Sequence, residues 1–343
     1  MAMREPKEGR RDGFGRPSRA PCPGVTYDAV MGFRRHAEGC ARWCVIGLFA
    51  LVSSGCDSTP VLKTQFWIDS LLGRAAATVQ IDGVGSFDMF LDPDSIALTP
   101  ILMEDGIWER SATEVFAEFA RPGDVAVDAG ANVGYFTLLF ARLVGPTGRV
   151  YAFEPDPSNY EILVRNVRLN GFTNVVVEQK ALSNEPGSVT LFMTDEVRED
   201  SRILQAPSRE VESVEVEAVV LDEYLAGREE RVDLVKIDTQ GAEGMIIDGM
   251  AETNRKNDLL LMIEWTPSVL PDFGYEPEEV VQMLRAANFV PYRLGPRRVL
   301  PDRYEKLLTR DVWGGSVNLL LVKKDSPRRQ EMPKLSRRKR RSE

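Results

Sequence analysis

The sequence predicts an α/β fold with a mainly parallel sheet and helices on both of its faces. Short apolar runs alternate with segments of helical period between residues 125 and 288. A glycine-containing turn follows the first of these runs. The last two apolar runs, 289–294 and 316–324, have no helical pattern between them. Alternation requires crossover connections and hence parallel strands, whereas the last two strands are free to pair antiparallel.

Residues 61–124 are predicted to form an N-terminal preamble to this sheet. Residues 78–92 alternate enough for a hairpin, with Asp82 and Gly83 as its turn. Residues 111–121 have the pattern of a helix, with Ser111 as N-cap and Glu114 completing a capping box.

The main domain is predicted to span residues 125–324. Proline favours the start of one helix at Pro157, and glycine favours the end of another at Gly145. In its first half we expect strands at 125–128, 149–154 and 174–182, with helices at 133–145 and 157–171 between them. Two extra strands are expected at 188–193 and 213–220. In the second half we expect strands at 232–238 and 258–265 and helices at 242–253 and 276–288.

Composition excludes several kinds of site. The chain is 43% hydrophobic and 28% charged, as in ordinary globular proteins, and its net charge of -9 argues against nucleic acid as a partner. All four cysteines and the single histidine, His36, precede residue 57. We therefore expect no disulfide, thiolate nucleophile, cysteine-based zinc site or imidazole base in the main domain. A proton acceptor there must be a carboxylate, tyrosine, lysine or water.

Residues 1–60 are predicted to be a disordered leader that contains a signal-like segment, residues 31–56. Arginines precede an apolar run at 44–52 that is too short to span a bilayer, and small residues follow. The ending "LVSSGC" is similar to a lipobox, which favours lipidation of Cys56 and a membrane-tethered protein. The alternatives are an uncleaved anchor, or a chance apolar leader on a cytoplasmic protein. The basic end, 325–343, is predicted to be a disordered tail.

Two acidic residues end neighbouring strands of the predicted sheet. Asp128 ends the first strand, a turn with Gly130 and Gly134 follows, and Glu154 ends the next strand. In an open α/β sheet, ligands bind beyond the carboxyl ends of strands at the switch point. Glu154 is placed there to accept hydrogen bonds from a ribose diol.

The turn departs from the dinucleotide-binding pattern. Asn132 occupies the place of the middle glycine, and no third glycine follows Gly134 at the required spacing. A carboxylate before the turn suits a cationic ligand better than a pyrophosphate, which favours S-adenosylmethionine (SAM). A turn acid beside an unrelated surface glutamate, and an NAD or nucleotide-sugar enzyme, remain alternatives.

Four motifs in order resemble the FkbM family of class I SAM-dependent methyltransferases. They are "VAVDAGANVGYFT", "VYAFEPDPSNYEILVRNVRLNG", "KALSNEPGSVTL" and "VDLVKIDTQGAEGMIIDGM", and the resemblance covers roughly residues 100–323. It implies a Rossmann-like sheet with an antiparallel C-terminal strand. It also implies SAM as cofactor and O-methylation of a hydroxyl on a sugar, polyketide or similar small-molecule or glycan acceptor.

The resemblance also implies roles for single residues. The methionine part of SAM would lie against the first-strand turn, the ribose on Glu154, the adenine near Ala181, and the methyl group near Asp238. The turn residues concerned are Asp128, Gly130, Asn132 and Gly134. The chain departs from the family at Gln240, where the motif K-I-D-V-E-G-A-E has a carboxylate.

Methyl transfer from a sulfonium requires alignment of the acceptor, and a hydroxyl acceptor must also lose a proton. We expect Asp238 to be the base and Glu243 or Glu264 to orient the substrate. The alternative for Asp238 is that it caps the following helix. The alternative for Glu264 is that it is a partly exposed acid at the end of a strand. A metal-assisted reaction would need a cluster of acids near Asp238. Gln240 stands where one of those acids would be, so no metal is expected. The competing function is a non-catalytic, membrane-tethered binding module with a methyltransferase-like fold.

Overall fold

The computed structural model describes residues 77–91, 95, 98–192, 213–229, 231–295, 298–308 and 316–332. The predicted leader with its signal-like segment and Cys56, the polar stretch 195–210, and most of the basic tail lie outside the described residues. In the described part of the chain, no helix has the length and apolar character needed to cross a membrane.

The N-terminal preamble begins with the predicted hairpin. Strands β1 (Ala77–Ile81) and β2 (Gly85–Met89) pair antiparallel around the Asp82-Gly83 turn, which confirms that prediction. Two helices follow, α1 (Leu98–Asp105) and α2 (Arg110–Phe119).

The main domain then alternates as expected. Its first half contains β3 (Val125–Ala129), α3 (Tyr135–Val144), β4 (Arg149–Phe153), α4 (Pro157–Leu169), β5 (Val175–Glu178), β6 (Ala181–Ser183), β7 (Gly187–Phe192) and β8 (Ser213–Val220). Its second half contains α5 (Leu221–Leu225), β9 (Leu234–Ile237), α6 (Glu243–Gly249), α7 (Ala251–Lys256), β10 (Leu260–Trp265), α8 (Pro277–Ala286), β11 (Phe289–Gly295), β12 (Arg298–Pro301), α9 (Tyr304–Leu307) and β13 (Val317–Lys323).

Eight strands form the central sheet in the order β12-β11-β13-β10-β9-β3-β4-β5. The five strands from β10 to β5 are parallel, and β13 lies antiparallel between β10 and β11. Within this sheet the chain enters first at β3 and continues through β4 to β5 on one side. It then returns to β9 on the other side of β3. This is the predicted Rossmann-like sheet with an antiparallel C-terminal strand, and it puts the switch point between β3 and its neighbours. A second sheet has the order β6-β8-β7.

Apolar side chains cover both faces of the sheet. On one face, Phe116 of α2 packs against Phe136 and Phe140 of α3, together with the hairpin. On the other face, Ile237, Ile263 and Trp265 are fully buried beneath α6 and α8. The preamble thus contributes to the same core as the main sheet.

Three local predictions were wrong. Helix α2 begins at Arg110 after Glu109, whose φ is 38° and whose side chain makes no cap, while Ser111 Oγ donates to the Gly295 carbonyl at 2.7 Å. The strand predicted at 174–182 divides into β5 and β6, because the chain leaves the central sheet after Glu178 and joins the smaller one. The helix predicted at 242–253 breaks at Met250, whose φ of -121° is not helical.

Candidate functional site

A row of polar side chains crosses the sheet face that α3 covers. Asp128 on β3 lies opposite Lys236 on β9, and Glu264 on β10 lies opposite Asn318 on β13. Asp238 follows β9 directly and therefore comes beside Glu264. Side chains alternate between the two faces of a strand, so these five residues share one face. The row runs along the carboxyl ends of the parallel strands, where the fold places its ligand.

Lys236 is the cation of this row. It is 3% exposed, its Nζ donates to Asp238 Oδ2 at 2.7 Å, and it lies 4.6 Å from the centre of the Phe136 ring. Burial opposes its charged form, but the nearby carboxylates Asp238, Glu109 and Asp128 outweigh burial and raise its pKa. The charged ammonium group of Lys236 is therefore stabilised by carboxylates of the protein.

Asp238 and Glu264 form a hydrogen-bonded pair of acids. Burial acts to raise the pKa of Asp238, but Lys236 outweighs burial and lowers it. Burial and the charge of Asp238 raise the pKa of Glu264 to about 8. Gln240, whose φ of 56° is left-handed, donates from Nε2 to Glu264 Oε2 at 2.8 Å. The lowered pKa of Asp238 and the raised pKa of Glu264 mean that the two acids titrate as a pair, in which ionisation of Asp238 is favoured over ionisation of Glu264.

Asp128, which was predicted to lie near the methionine part of SAM, is buried below the turn. It is 1% exposed, and Thr137 Oγ1 donates to its Oδ2 at 2.6 Å. Among the described residues, no group donates to its Oδ1. Burial raises its pKa despite the charge of Lys236. A buried carboxylate oxygen with free acceptor capacity suits a ligand that brings a donor or a positive charge.

The amide groups of the turn between β3 and α3 donate hydrogen bonds to other groups of the protein. The amides of Gly130 and Ala131 both donate to the Phe153 carbonyl at 3.0 Å, and the Asn132 amide donates to Glu154 Oε2 at 2.6 Å. The Val133 amide donates to Asn132 Oδ1. These four amides are therefore not free to bond to a ligand. A turn with occupied donors is also a poor cradle for a pyrophosphate.

The two glycines of the turn are required by packing. Gly130 has φ 76°, and a Cβ there would overlap the carbonyl of Asp238. Gly134 has φ 101°, and a Cβ there would press on Leu163 of α4. Glycine at these two positions is therefore required by contacts within the protein, with Asp238 and with Leu163.

Glu154 is fixed at the end of β4 by two backbone donors. The Asp156 amide donates to Oε1 at 2.9 Å, and the Asn132 amide donates to Oε2. Burial dominates nonetheless and raises the pKa of Glu154 to about 8. Each carboxylate oxygen has a second lone pair, which leaves acceptor capacity on the side that faces the cleft.

A cleft opens over the ends of β3, β4 and β9. Five of the predicted residues line it, namely Gly130, Asn132, Glu154, Ala181 and Asp238. The other lining residues are Ala129, Phe153, Pro155, Asn159, Lys180, Leu182, Leu191, Thr239, Gln240 and Ala242. The other four predicted residues, Asp128, Gly134, Glu243 and Glu264, are not among the residues that line it.

Glu243 holds the loop after β9. It is 1% exposed, and its Oε1 accepts from the Thr239 amide and hydroxyl and from the Gly241 amide, at 3.1–3.2 Å. Burial raises its pKa to about 6. This carboxylate therefore shapes the loop that carries Gln240.

Residues 128–291 match the family model described as the Methyltransferase FkbM domain. The match begins at Asp128, near the end of β3, and includes the turn, Glu154, Asp238 and Glu264.

The chain carries an FkbM methyltransferase domain.

Among its relatives, methyltransferase sdnD from Sordaria araneosa is 32% identical over 173 residues, which cover 41% of this chain and 66% of that protein. The 31-O-demethyl-FK506 methyltransferase FkbM from Streptomyces tacrolimicus is 46% identical over 70 residues, which cover 20% of this chain and 25% of the relative. The chain thus spans less than two thirds of the length of either relative. The crystal structure of methyltransferase FkbM from Methylobacillus flagellatus aligns with a TM-score of 0.36 and 16% identity, over 61% of this chain and 50% of that one.

SAM is the cofactor of the FkbM domain, and the residues of the cleft fit it. Glu154 offers carboxylate lone pairs to a ribose diol, and the buried Asp128 Oδ1 has acceptor capacity for a cationic ligand. The occupied amides of the turn are consistent with a cofactor that presents no pyrophosphate.

Three residues in or beside the polar row, Lys236, Asn318 and Glu109, were not predicted from the sequence. Lys236 is a charged residue inside an apolar strand, and that position was a usable signal. Glu109 carries no local signal, because its carboxylate reaches the row only through the packing of α2 on the sheet. In the described part of the chain, no group of three or more His, Cys, Asp or Glu side chains is arranged to hold a metal ion.

A wider groove of about 690 Å³ lies between α6, the turn near Phe273 and α8. It is lined by Asn184, Met245, Phe273, Gly274, Tyr275, Glu279, Gln282, Met283 and Ala286. None of the predicted site residues borders it.

Proposed function

We propose that the FkbM domain transfers the methyl group of SAM to a hydroxyl oxygen of a small-molecule or glycan acceptor. The observation that carries the proposal is Asp238, which lines the cleft, accepts a hydrogen bond from Lys236 at 2.7 Å and has its pKa lowered by that lysine. One relative is named for the substrate 31-O-demethyl-FK506, whose name specifies an oxygen that lacks a methyl group.

The reaction makes two demands on the protein. SAM, when bound, would supply a methyl group on a sulfonium, and the leaving group would be the neutral thioether of S-adenosylhomocysteine, so no acid would be needed to expel it. The protein must hold the acceptor oxygen in line at near-attack distance, and it must remove the hydroxyl proton as the oxygen–carbon bond forms.

Asp238 meets the second demand. The alkylated hydroxyl oxygen is strongly acidic in the transition state, so a carboxylate with a lowered pKa is a sufficient base. The proton passes from the acceptor oxygen to Asp238, and Lys236 keeps Asp238 ionised until then. Glu264 shares a hydrogen bond with Asp238, and Gln240 holds Glu264 in place.

The cofactor positions follow from the same cleft. We place the ribose on Glu154, the adenine beside Ala181, and the methionine part over Asn132 and Gly130, with Asp128 below as a countercharge. Glu243 acts indirectly, through the loop that presents Gln240.

The test is SAM turnover with a panel of acceptors. Formation of S-adenosylhomocysteine (SAH) is followed by mass spectrometry with sugars, macrolactones and carboxylic acids, using the full chain and Asp238→Asn. We expect methylation of a hydroxyl compound that Asp238→Asn reduces at least 100-fold while SAM affinity changes little. Methylation of carboxylic acids alone would contradict the proposed acceptor class. SAM binding without turnover of any acceptor would favour the competing function, a binding module.

We also propose that the protein is tethered to a membrane through Cys56, on the basis of the signal-like segment at 31–56. A doubly or triply acylated cysteine would be needed for stable attachment. Mass spectrometry of the mature N-terminus decides this, since a chain that begins at Met1 or Met31 in the cytosolic fraction excludes the tether.

A further inference from the structure

Two asparagines at the C-terminal end of α4 fasten the N-terminal hairpin to the main domain. Asn170 Oδ1 accepts from the Asp88 amide at 2.8 Å, and its Nδ2 donates to the Asp88 carbonyl at 2.8 Å. Asn166 makes the same two bonds with Phe90, at 2.7 Å and 3.0 Å. The hairpin is a sheet of two strands, so these side chains take the place of a third strand along its free edge.

The third hydrogen bond that each asparagine makes distinguishes the two. Asn170 Nδ2 donates to the carbonyl of Asn166 at 2.8 Å, within the same helix. Asn166 Nδ2 donates instead to the Val133 carbonyl at 2.7 Å, in the turn between β3 and α3. Asn166 is 0% exposed. Of the two asparagines, Asn166 alone therefore joins the hairpin directly to the turn.

Hydrogen bonds continue from Val133 to the carboxylate of Glu154. The Val133 amide donates to Asn132 Oδ1 at 2.7 Å, and the Asn132 amide donates to Glu154 Oε2 at 2.6 Å. Asn132 has φ 51°, a left-handed conformation that a residue other than glycine keeps only where its surroundings fix it. A path of hydrogen bonds thus runs from Phe90 through Asn166, Val133 and Asn132 to Glu154.

The first part of the turn is anchored independently of this path. The amides of Gly130 and Ala131 both donate to the Phe153 carbonyl. Neither bond involves Asn132 or Val133. The bond from Asn166 is therefore the one that fixes the second part of the turn from the side of α4.

We infer that Asn166 is a positioning residue of the cofactor site, and that it makes the N-terminal hairpin a working part of that site. By holding Val133 it keeps the Asn132 amide on Glu154, the carboxylate on which we place the ribose of SAM. The inference rests on that placement in the proposed function. The hairpin precedes the matched FkbM domain, residues 128–291, so the cofactor site extends beyond the match.

The bond from Asn132 also affects how Glu154 responds to pH. Burial raises the pKa of Glu154 to about 8, and the amides of Asp156 and Asn132 act against burial because they bond to the charged form. Other charged groups face Glu154 or line the same cleft, namely Asp156, Asp128, Lys180 and Asp238. Loss of the Asn166 side-chain amide leaves all of these charges in place. A loosened Asn132 should therefore raise the pH at which Glu154 ionises.

The experiment compares SAM binding by the full-chain variants Asn166→Leu and Asn170→Leu, by calorimetry between pH 6 and pH 9. Leucine has a similar shape to asparagine and removes three hydrogen bonds in either case, so both variants weaken the attachment of the hairpin. We expect Asn166→Leu to bind SAM about fivefold more weakly than the parent at pH 7.5. The pH range over which affinity rises should move up by about half a unit. Asn170→Leu should bind as the parent does at every pH.

Hydrogen exchange in the unsubstituted protein gives a second measurement, which does not depend on the folding of a variant. A bond that stabilises the occupied site is stabilised by occupation in return. SAH should therefore slow exchange of the Phe90 amide, which bonds to Asn166, more than exchange of the Asp88 amide, which bonds to Asn170.

Equal affinities and pH profiles in the two variants, or equal protection of the two amides by SAH, would overturn the inference. If either variant fails to fold, the exchange comparison decides alone. A parent affinity for SAM that stays constant between pH 6 and pH 9 would overturn the placement of the ribose on Glu154, and the inference with it.

Discussion

Gln240 shows how a single residue sets the chemistry of this site. Its amide group donates to Glu264 in a place where the FkbM motif has a carboxylate. An amide at this place supports a pair of acids that titrate together. A carboxylate would instead be a third acid beside Asp238 and Glu264.

Gln240→Glu should therefore destabilise the protein. A hydrogen-bond donor is replaced by an acceptor beside two acids, and we expect a loss of about 1–3 kcal/mol in the free energy of unfolding at pH 8. The loss should diminish at pH 5, where the added acid is protonated more easily. Urea unfolding at the two pH values checks this, with exposed Glu161→Gln as control. A variant as stable as the parent at pH 8 would show that Gln240 does not support the pair.

The site residues that could be predicted from the sequence are those at strand ends. Asp128, Glu154 and Asp238 each end an apolar run, and the rule that ligands bind at the carboxyl ends of strands was enough to group them. The side-chain arrangement was not visible, because Lys236, Glu109 and Asn318 meet only through the register of β9 and β13 and the packing of α2.

At the scale of elements, the turn between β3 and α3 acts as a rigid support. Its amides bond to the end of β4, and Gly130 packs against the carbonyl of Asp238. The turn therefore couples the ends of β3, β4 and β9. A substitution in it should affect folding before it affects cofactor binding.

Gly130→Ala should destabilise the protein by roughly 3 kcal/mol or more, because it combines a left-handed backbone with overlap against Asp238. Gly227→Ala is the matched control. Gly227 has φ 73°, close to the 76° of Gly130, but a Cβ there would meet nothing within 4 Å. It should lose only about 1–2 kcal/mol. Equal losses in the two variants, measured by thermal or urea unfolding, would mean that backbone conformation alone explains the requirement for glycine.

Elements were predicted best where a periodic pattern was long. The alternation of β3, α3, β4 and α4 came directly from apolar spacing. The cap of α2 was misassigned to Ser111 because the capping-box pattern is local, while Ser111 is engaged by Gly295 across the fold. The division into β5 and β6 depends on which sheet the chain joins, and no local pattern in residues 174–182 reveals that.

For the whole molecule, the main feature is an excess of buried acids around the cleft. Asp128, Glu154, Glu243 and Glu264 are buried or largely buried there, and burial raises the pKa of each. A cofactor that carries positive charge offsets part of this excess. The preamble belongs to the same electrostatic unit, since Glu109 lies close enough to Lys236 for their charges to interact.

The protein without cofactor should lose stability as pH rises. A folded-state pKa of about 8 for Glu154 and Glu264, and of about 6 for Glu243, exceeds the ordinary value of 4.5. Their contribution is therefore fully present below about pH 4.5 and is lost as pH rises through 6 to 8. We expect the free energy of unfolding to fall between pH 5 and pH 8, by up to about 1.4 kcal/mol per pH unit for each of these acids. The double variant Glu154→Gln/Glu264→Gln should flatten this dependence in urea unfolding. A parent protein that becomes more stable over this range would contradict the burial of these acids.

The central claim, that SAM occupies the cleft with its ribose on Glu154, is tested most directly by titrating SAM into the full chain by calorimetry. We predict one site, with an affinity that rises between pH 6 and pH 8.5 as Glu154 ionises to accept the ribose hydroxyls. Glu154→Gln should weaken binding by about 1–3 kcal/mol and remove most of that pH dependence, whereas the exposed Glu161→Gln should do neither. A parent chain that binds NAD and not SAM, or a Glu154→Gln variant that binds SAM with the affinity and pH dependence of the parent, would contradict the account.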